Sequence, residues 1–397
     1  MRIDRKTQKM ANNTKIVKKA NSFLVLDVIR KHKCITIEGI IDNTDLSRPT
    51  VLSILKKLLE EEIVLTSGLA PSDGGRQPVL YALNAHSSYA IGIDVDGPPV
   101  NLVVSDLNGE VVYSTSWMID NSDPAEKIVA SIIEHIDLAV NTLKINYNKV
   151  LGIGLGLPAA IDMYSNSTVR LSRLKRWDNY PISEAIVDHT GIKVYLRNDA
   201  HLISIAEHSM LGDTENSLYI VLRSGIGMSA IINNQIYEGA MGNSGYIGHT
   251  TLVINGRECD CGLSGCFEAY CSKRAIRKLY QEKSQKSTSY KEILELAARN
   301  DKTAIAVLEE AGELFGVSVS NIVKNFEIYT VILGDMMCDE KHIFFRSIVK
   351  SAKKHLGNYT PKQPRIISGK LTSDNFGLGG CHFVLSKYFA RPKLRFH

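Results

Sequence analysis

Long apolar runs are missing from this chain. The longest uncharged apolar run, about Val150–Ile161, is too short to cross a bilayer as a helix. A basic start leads into Phe23–Ile29, but Asp27 interrupts that stretch and no small-residue cleavage site follows, so no signal peptide is expected. Compositional bias is also missing. Hydrophobic residues make up 44% and charged residues 22% of 397 residues, which excludes a mainly disordered or collagen-like chain. Cysteines are few, at seven, and the count is odd; four of them lie between Cys259 and Cys271. That clustering in a chain without an export signal argues against a disulfide framework and for a metal site in a cytoplasmic protein. The length exceeds one small core and predicts two or three domains.

Net charge is +5 and unevenly placed. Residues 1–84 hold 14 Lys/Arg and 9 Asp/Glu, while the remaining residues hold 33 of each. A basic head that meets a polyanion, joined to a neutral body, fits that asymmetry; a solvated basic tail fits it too.

The head reads as three helices, about Lys15–His32, Ile37–Asn43 and Arg48–Glu61. In the first, Ile16, Ala20, Phe23, Leu24 and Ile29 form an apolar stripe; in the third, Val51, Leu52, Leu55, Leu58 and Leu59 are expected to face inward. Ser47 stands where an N-cap belongs, and Pro49 falls in the first turn, where its missing N–H costs nothing. Two strands follow, Ile63–Leu65 and Val79–Leu83, around a turn-rich loop that ends in Arg76. Together these predict a winged helix-turn-helix over residues 1–84, which places the N-terminus of the last helix in a major groove of double-stranded operator DNA. Ser47, Arg48, Thr50 and Ser53 are the expected base-facing residues; Lys56, Lys57 and Arg76 are expected to meet phosphates. A three-helix protein-interaction module is the rival reading of the same segment.

From Tyr89 the pattern becomes α/β. Strands at Ala90–Val95, Val100–Val104 and Val111–Tyr113 recur as a similar unit at Leu218–Leu222, Met228–Ile232 and Gln235–Tyr237. Helical patterns near Pro124–Leu143 and Ser183–His189 separate the two units. A duplicated architecture of two lobes around a cleft follows, as in sugar-kinase or actin-like folds. The expected divisions are a small lobe over 85–200, a large lobe over 201–375, and a C-terminal helix near 376–397 that returns to the small lobe.

Chemically the sharpest feature is His249-x9-Cys259-x-Cys261-x4-Cys266. Three thiolates and one imidazole make a tetrahedral zinc set, with Gly256, Gly262 and Gly265 supplying the turns. Four protein ligands leave no open position, so one structural Zn2+ per chain is expected. Cys271 falls on the following helix and reads as a packed small side chain.

Those residues resemble the ROK family, named for repressors, open reading frames and kinases. Gly248-His249, Cys259-x-Cys261-Gly262-x-x-Gly265-Cys266-x-Glu268 and Ser272 match its signature. The likeness extends through Gly152-x-Gly154-x-Gly156-Leu157-Pro158, Trp177-x-Asn179, Asn198-Asp199-Ala200 and Gly225-Ile226-Gly227. The head, with Gly74-Gly75-Arg76-x-Pro78, resembles the repressor branch; family kinases lack it. The resemblance implies a sugar between the lobes near Asn198 and Asp199, with His249 and Glu268 also touching it. In a kinase Asp199 would be the catalytic base; in a repressor it would hold the sugar.

Departures from the family pattern are informative. The kinase phosphate turn Asp-x-Gly-Gly-Thr reads Asp94-Val95-Asp96-Gly97-Pro98-Pro99, without the hydroxyl and with an added carboxylate expected to repel phosphate. Leu-Gly-Gly reads Leu333-Gly334-Asp335, Gly-Glu-x-Gly-His reads Gly245-Tyr246-x-Gly248-His249, Arg173 stands near the usual asparagine, and the Asn-Asp-Ala-Asn run ends in His201. Tyr246 and Arg173 therefore join the candidate ligand contacts. The expectation is a non-enzymatic regulator, a repressor of carbohydrate-metabolism genes, working as a homodimer or homotetramer with no membrane partner. An active sugar kinase using Asp199 and a ligand-independent DNA-binding protein are its rivals.

Overall fold

The computed structural model describes the chain except residues 1–4, 72–76, 97–98, 121, 163–164, 172–179, 213, 224, 336–338, 359, 361 and 391–397. The head begins with α1 (Arg5–His32), longer at its N-terminus than its apolar stripe predicts. β1 (Cys34–Ile35), α2 (Ile37–Thr44), α3 (Arg48–Glu60), β2 (Val64–Leu69) and β3 (Val79–Leu83) follow. Thr36 caps α2 by accepting from Gly39 N–H, and Asp45 ends it in the left-handed region with its N–H on the Ile41 carbonyl. That tight exit sets the turn into α3. Ser47 holds the N-cap position of α3, but its hydroxyl bonds the Thr50 hydroxyl at 2.8 Å instead of the backbone. Val51, Ile54, Leu55 and Leu58 are buried, whereas Leu52 is 45% exposed, contrary to its expected inward face. The helical period carries Leu52 round beside Arg48 and Lys56 on the outer side, and Ile54 takes the inner position. β1 pairs with β3 and closes a three-stranded antiparallel sheet in the order β1-β3-β2, a strand too short to leave a sequence signal.

The body contains two five-stranded sheets of one topology. The first uses β4 (Tyr89–Asp94), β5 (Val100–Asp106), β6 (Val111–Trp117), β7 (Val150–Leu157) and β10 (Val194–Asn198), in the order β10-β7-β4-β5-β6. The second uses β11 (Ser217–Leu222), β12 (Ile226–Ile232), β13 (Gln235–Ile236), β14 (Thr330–Asp335) and β15 (Arg365–Ser368), in the order β13-β12-β11-β14-β15. In each, three strands form an antiparallel meander and two more add in parallel beyond its first strand, while β8 (Ala159–Asp162) and β9 (Ser167–Leu171) pair apart from both sheets. Fully buried β4 and β11 read as near-continuous apolar runs for that reason, whereas fully buried β5 also carries Asn101, Ser105 and Asp106. α4 (Ala125–Thr142) and α5 (Ile182–Thr190) cover the first sheet, contributing Ile128, Ile132, Ile136 and Ile186 to its core. α8 (Lys273–Ser284), α9 (Tyr290–Ala298), α10 (Lys302–Phe326) and α11 (Ile343–Leu356) cover the second around Phe315 and Phe344.

Two helices lie at the junction, α6 (Asp199–Ser209) and α12 (Leu378–Tyr388). α12 packs on β4, β7 and α6. Its backbone comes so close that a Cβ on Gly92 would fall 1.8 Å from the Gly377 carbonyl oxygen, and one on Gly154 would fall 2.4 Å from that of Gly380. The segment leading into α12 is tied on both sides. Buried Glu207 of α6 accepts from the N–H groups of Lys370 and Leu371, and buried Asn101 of β5 accepts from Gly377 N–H while donating to the Asp374 carbonyl. The far end of α12 reaches the head: Phe389 lies under the Arg30 guanidinium of α1 at 5.1 Å, and one hydrophobic cluster runs from Val25, Ile29 and Leu55 into Cys381, Val384 and Leu385.

Candidate functional site

The candidate site lies where the carboxyl ends of β4 and β11 face each other, the place where open parallel sheets bind ligands. β4 ends in Asp94, β10 ends in Asn198, and α6 starts with Asp199. Asn198 N-caps α6 by accepting from Ala200 N–H at 3.1 Å and donates to the Ala159 carbonyl, which fixes the first turn. Arg223 follows β11 and reaches into this junction. Its guanidinium bonds both oxygens of Asp94 at 3.0 and 2.6 Å and Oδ2 of Asp199 at 2.9 Å, and its Nε meets Oδ2 of Asp96 at 3.2 Å. The ring of Phe376 lies 4.6 Å beneath it.

This corrects the reading of Asp96. The carboxylate does not stand alone against phosphate; it is paired to Arg223. Arg223 itself was missed. Its one signal in the sequence is an arginine directly after the apolar run Leu218–Leu222 and before Ser-Gly-Ile-Gly, a poor place for a solvated cation. Burial dominates the acids here. It raises Asp94, and it pushes Asp199 up to about 7, helped by the charges of Asp96 and Asp94 and opposed by Arg223.

The opposite wall brings in further candidates. Glu268 opens α7 (Glu268–Cys271) and accepts from Ile226 N–H at 3.1 Å. A Cβ on Gly225 would fall 2.6 Å from its Oε2, so a side chain there would push the carboxylate away from this turn. Tyr246 is 43% exposed; partial burial and the neighbouring Asp199 charge push its phenol up to about 12. His201 turns away from the cleft: it is fully buried and its Nε2 donates to the Ser244 carbonyl at 2.8 Å. Asp335 pairs with Lys273 at 2.9 Å. Arg173, with Trp177 and Asn179, lies outside the described residues.

Behind this wall, His249, Cys259, Cys261 and Cys266 converge, their donor atoms all within 4.8 Å of one another. His249 Nδ1 is 3.7 Å from Cys259 Sγ, and the sulfurs of Cys261 and Cys266 are 3.6 Å apart. Ligands held by one tetrahedral ion are separated by roughly 3.3–3.8 Å, so the set fits a bound metal. Two antiparallel bridges, Thr251 to Cys266 and Glu258 to Ser264, fold the loop, and Gly262 and Gly265 take left-handed backbone at φ 90° and 79°. Cys271 stays apart, buried, with its thiol on the Ala311 carbonyl.

On the head, the outer face of α3 carries Arg48, Ser53, Lys56 and Lys57, with Ser47 and Thr50 at its start. Arg48 is paired with Glu38 at 2.7 Å, and Lys56 and Lys57 lie near Glu60 and Glu61 at 3.9 and 3.5 Å. Exposed pairs of this kind hold only about 0–1 kcal/mol each, so they can exchange for phosphates. Arg76 lies outside the described residues. Among the described residues no helix is long and apolar enough to cross a membrane.

Comparison with known proteins covers the whole architecture. The model of the ROK family matches residues 90–387. The xylose repressor of Bacillus spizizenii is 30% identical over 383 residues, covering 95% of this chain and 98% of its own. A solved ROK family transcriptional regulator, described as a homolog of the E. coli MLC protein, superimposes with a TM-score of 0.81 at 20% identity over 94% of this chain and 97% of its own. A ROK family glucokinase from Streptomyces griseus, solved with glucose and AMPPNP, gives a TM-score of 0.66 at 21% identity, covering 75% of this chain and 99% of its own.

Proposed function

Because this chain belongs to the ROK family, we propose that it is a transcriptional repressor of sugar-metabolism genes whose DNA affinity falls when a sugar occupies the cleft. The carrying observation is that one chain joins a winged helical head to a two-lobed cleft through α12, which touches both. The extent of the likeness to a xylose repressor, 95% of this chain, supports the same reading, and D-xylose is the first effector to test. Residues 1–84 are the DNA-binding head. Ser47, Arg48, Thr50 and Ser53 face bases, and Lys56, Lys57 and Arg76 face phosphates.

The sugar is held by Asn198, Asp199, Glu268, Tyr246, Arg173 and the His249 loop. One Zn2+ on His249, Cys259, Cys261 and Cys266 keeps that loop and the start of α7 in register, a structural role. Sugar binding changes the lobe angle, α12 moves with β4 and β7, and the seat of the head moves with α12. In a homodimer or homotetramer, half-sites about one DNA turn apart make such a rotation costly for DNA contact. The sugar must favour one lobe arrangement for any population to shift.

The test is retardation of a DNA fragment flanking the protein's own gene. Retardation at low salt that D-xylose reverses is the expected result. No retardation of that fragment at low salt would sink the reading. A second reading, a sugar kinase, draws on the placement of Asp199 at the cleft and the glucokinase-like fold. The Arg223 bond opposes it, because it already occupies one oxygen of the carboxylate that would have to accept the hydroxyl proton. ADP release from ATP with D-xylose, abolished by Asp199→Asn, would establish it.

A further inference from the structure

Arg223 is the cation at which the two lobes meet. Asp94 and Asp96 belong to the end of the first sheet, Asp199 to the start of α6, and Arg223 to the end of the first strand of the second sheet. Every guanidinium nitrogen is engaged: Nη2 on Asp94, Nη1 shared by Asp94 and Asp199, and Nε on Asp96. The four side chains are nearly enclosed, at 11% exposure for Arg223, 4% for Asp94, 3% for Asp96 and 9% for Asp199.

An ordinary structural ion pair needs one carboxylate per guanidinium. Here three carboxylates meet one guanidinium in an enclosed group. Buried charge without a partner is costly, and removing one member of such a set leaves the rest uncompensated. The planar fork of arginine suits this position. It bonds Asp94 through two nitrogens and still reaches two more carboxylates, which a lysine point charge cannot do. Phe376 stacks against the guanidinium and fixes its plane.

We propose that Arg223 is a built-in cation that latches the two lobes and positions Asp199, doing within the chain what a dissociable divalent ion does in a cleft of three converging carboxylates. The cleft so built takes an uncharged polyhydroxyl ligand and needs no added metal. The ligand half of this rests on the sugar-sensor reading above; the latch half does not.

Two consequences separate a latch from an incidental ion pair. Without Arg223, three oxygen ligands converge on an empty centre, the donor set that Mg2+ and Mn2+ prefer. And without it Asp199 is no longer held for the sugar. The experiment uses the full chain and Arg223→Ser, followed by thermal unfolding in metal-free buffer, with MnCl2, and with NaCl at matched ionic strength. The variant is expected to unfold at lower temperature than wild type and to be raised by MnCl2 alone, while wild type responds to neither salt. Calorimetry with D-xylose is expected to give about tenfold weaker binding for the variant, restored to within about threefold by MnCl2. A variant as stable as wild type, or one that MnCl2 does not raise, overturns the proposal.

Should Arg223→Ser fail to fold, Arg223→Lys decides. It keeps the charge but not the three-way bond, and is expected to unfold earlier than wild type; behaviour identical to wild type overturns the latch. The unfolding readout involves neither sugar nor DNA, so its failure is distinct from failure of the repressor reading.

Discussion

Gly154→Ala adds one methyl group where α12 lies on the first sheet. The new Cβ would sit 2.4 Å from the Gly380 carbonyl oxygen and 2.6 Å from its Cα, both backbone atoms that cannot rotate away. Ordinary contact begins near 3.4 Å, so strand and helix must part by about 1 Å. Overpacking on this scale costs about 1–3 kcal/mol. The displaced helix carries more than stability. Phe376, just before α12, supports Arg223, and Phe389, just after it, supports Arg30 of the head. The variant should therefore unfold at lower urea and also respond less to D-xylose in DNA retardation. Gly227→Ala is the control. Its Cβ would meet Ala200 and Val221 at 3.4 and 3.7 Å, ordinary distances, and its backbone does not need glycine. Equal urea midpoints for the two variants would refute the claim that close helix–sheet approach explains the glycines of the Val150–Leu157 strand.

Three other outcomes are expected. Metal analysis should give about one zinc per chain, and Cys261→Ser should make the 250–266 segment sensitive to protease; a zinc-free preparation with full protease resistance would contradict the structural role. Phe389→Ala should leave sugar binding and DNA binding in place but bring the sugar-induced change in DNA affinity toward unity, and the DNA-induced change in sugar affinity with it; an undiminished ratio would exclude α12 as the connection. Asp199 is raised by burial and by Asp96 and Asp94 to about 7, so the folded chain binds its proton more tightly than the unfolded chain. Its contribution to stability is full below about pH 4 and is lost as pH rises through 7; urea midpoints of wild type relative to Asp199→Asn should fall across that window, and a rise would reverse the assignment.

What the sequence disclosed was local. The metal set was legible because four ligands fall between His249 and Cys266 with glycines at the turns, and its convergence needs no distant contact. The two lobes were legible because the strand–turn–strand units at Tyr89 and Ser217 repeat in pattern. Less was visible where partners lie far apart. Asp94 and Arg223 are 129 positions apart, so the acid turn looked uncompensated. Gly154 carried a family pattern but no reason, since its reason is Gly380. Leu52 misled because an apolar residue next to a buried one was assumed to share its face, whereas one helical step turns it outward.

A receptor and a kinase ask opposite things of the same carboxylate. A kinase needs its aspartate free to accept a proton from a hydroxyl at the moment of transfer. A receptor needs it fixed, so that ligand binding is reversible and its energy goes into choosing between two lobe arrangements. Arg223 moves Asp199 toward the second condition by occupying one of its oxygens and joining it to both lobes. In the sensor proposed above, the same bond would let the cleft report: a ligand drawing on Asp199 would pull on a group connected through Arg223 to Phe376, and from there to the helix on which the head sits. On the proposed reading, phosphate chemistry and signalling compete for one position at the end of β11, and the arginine there is what suits the site to signalling.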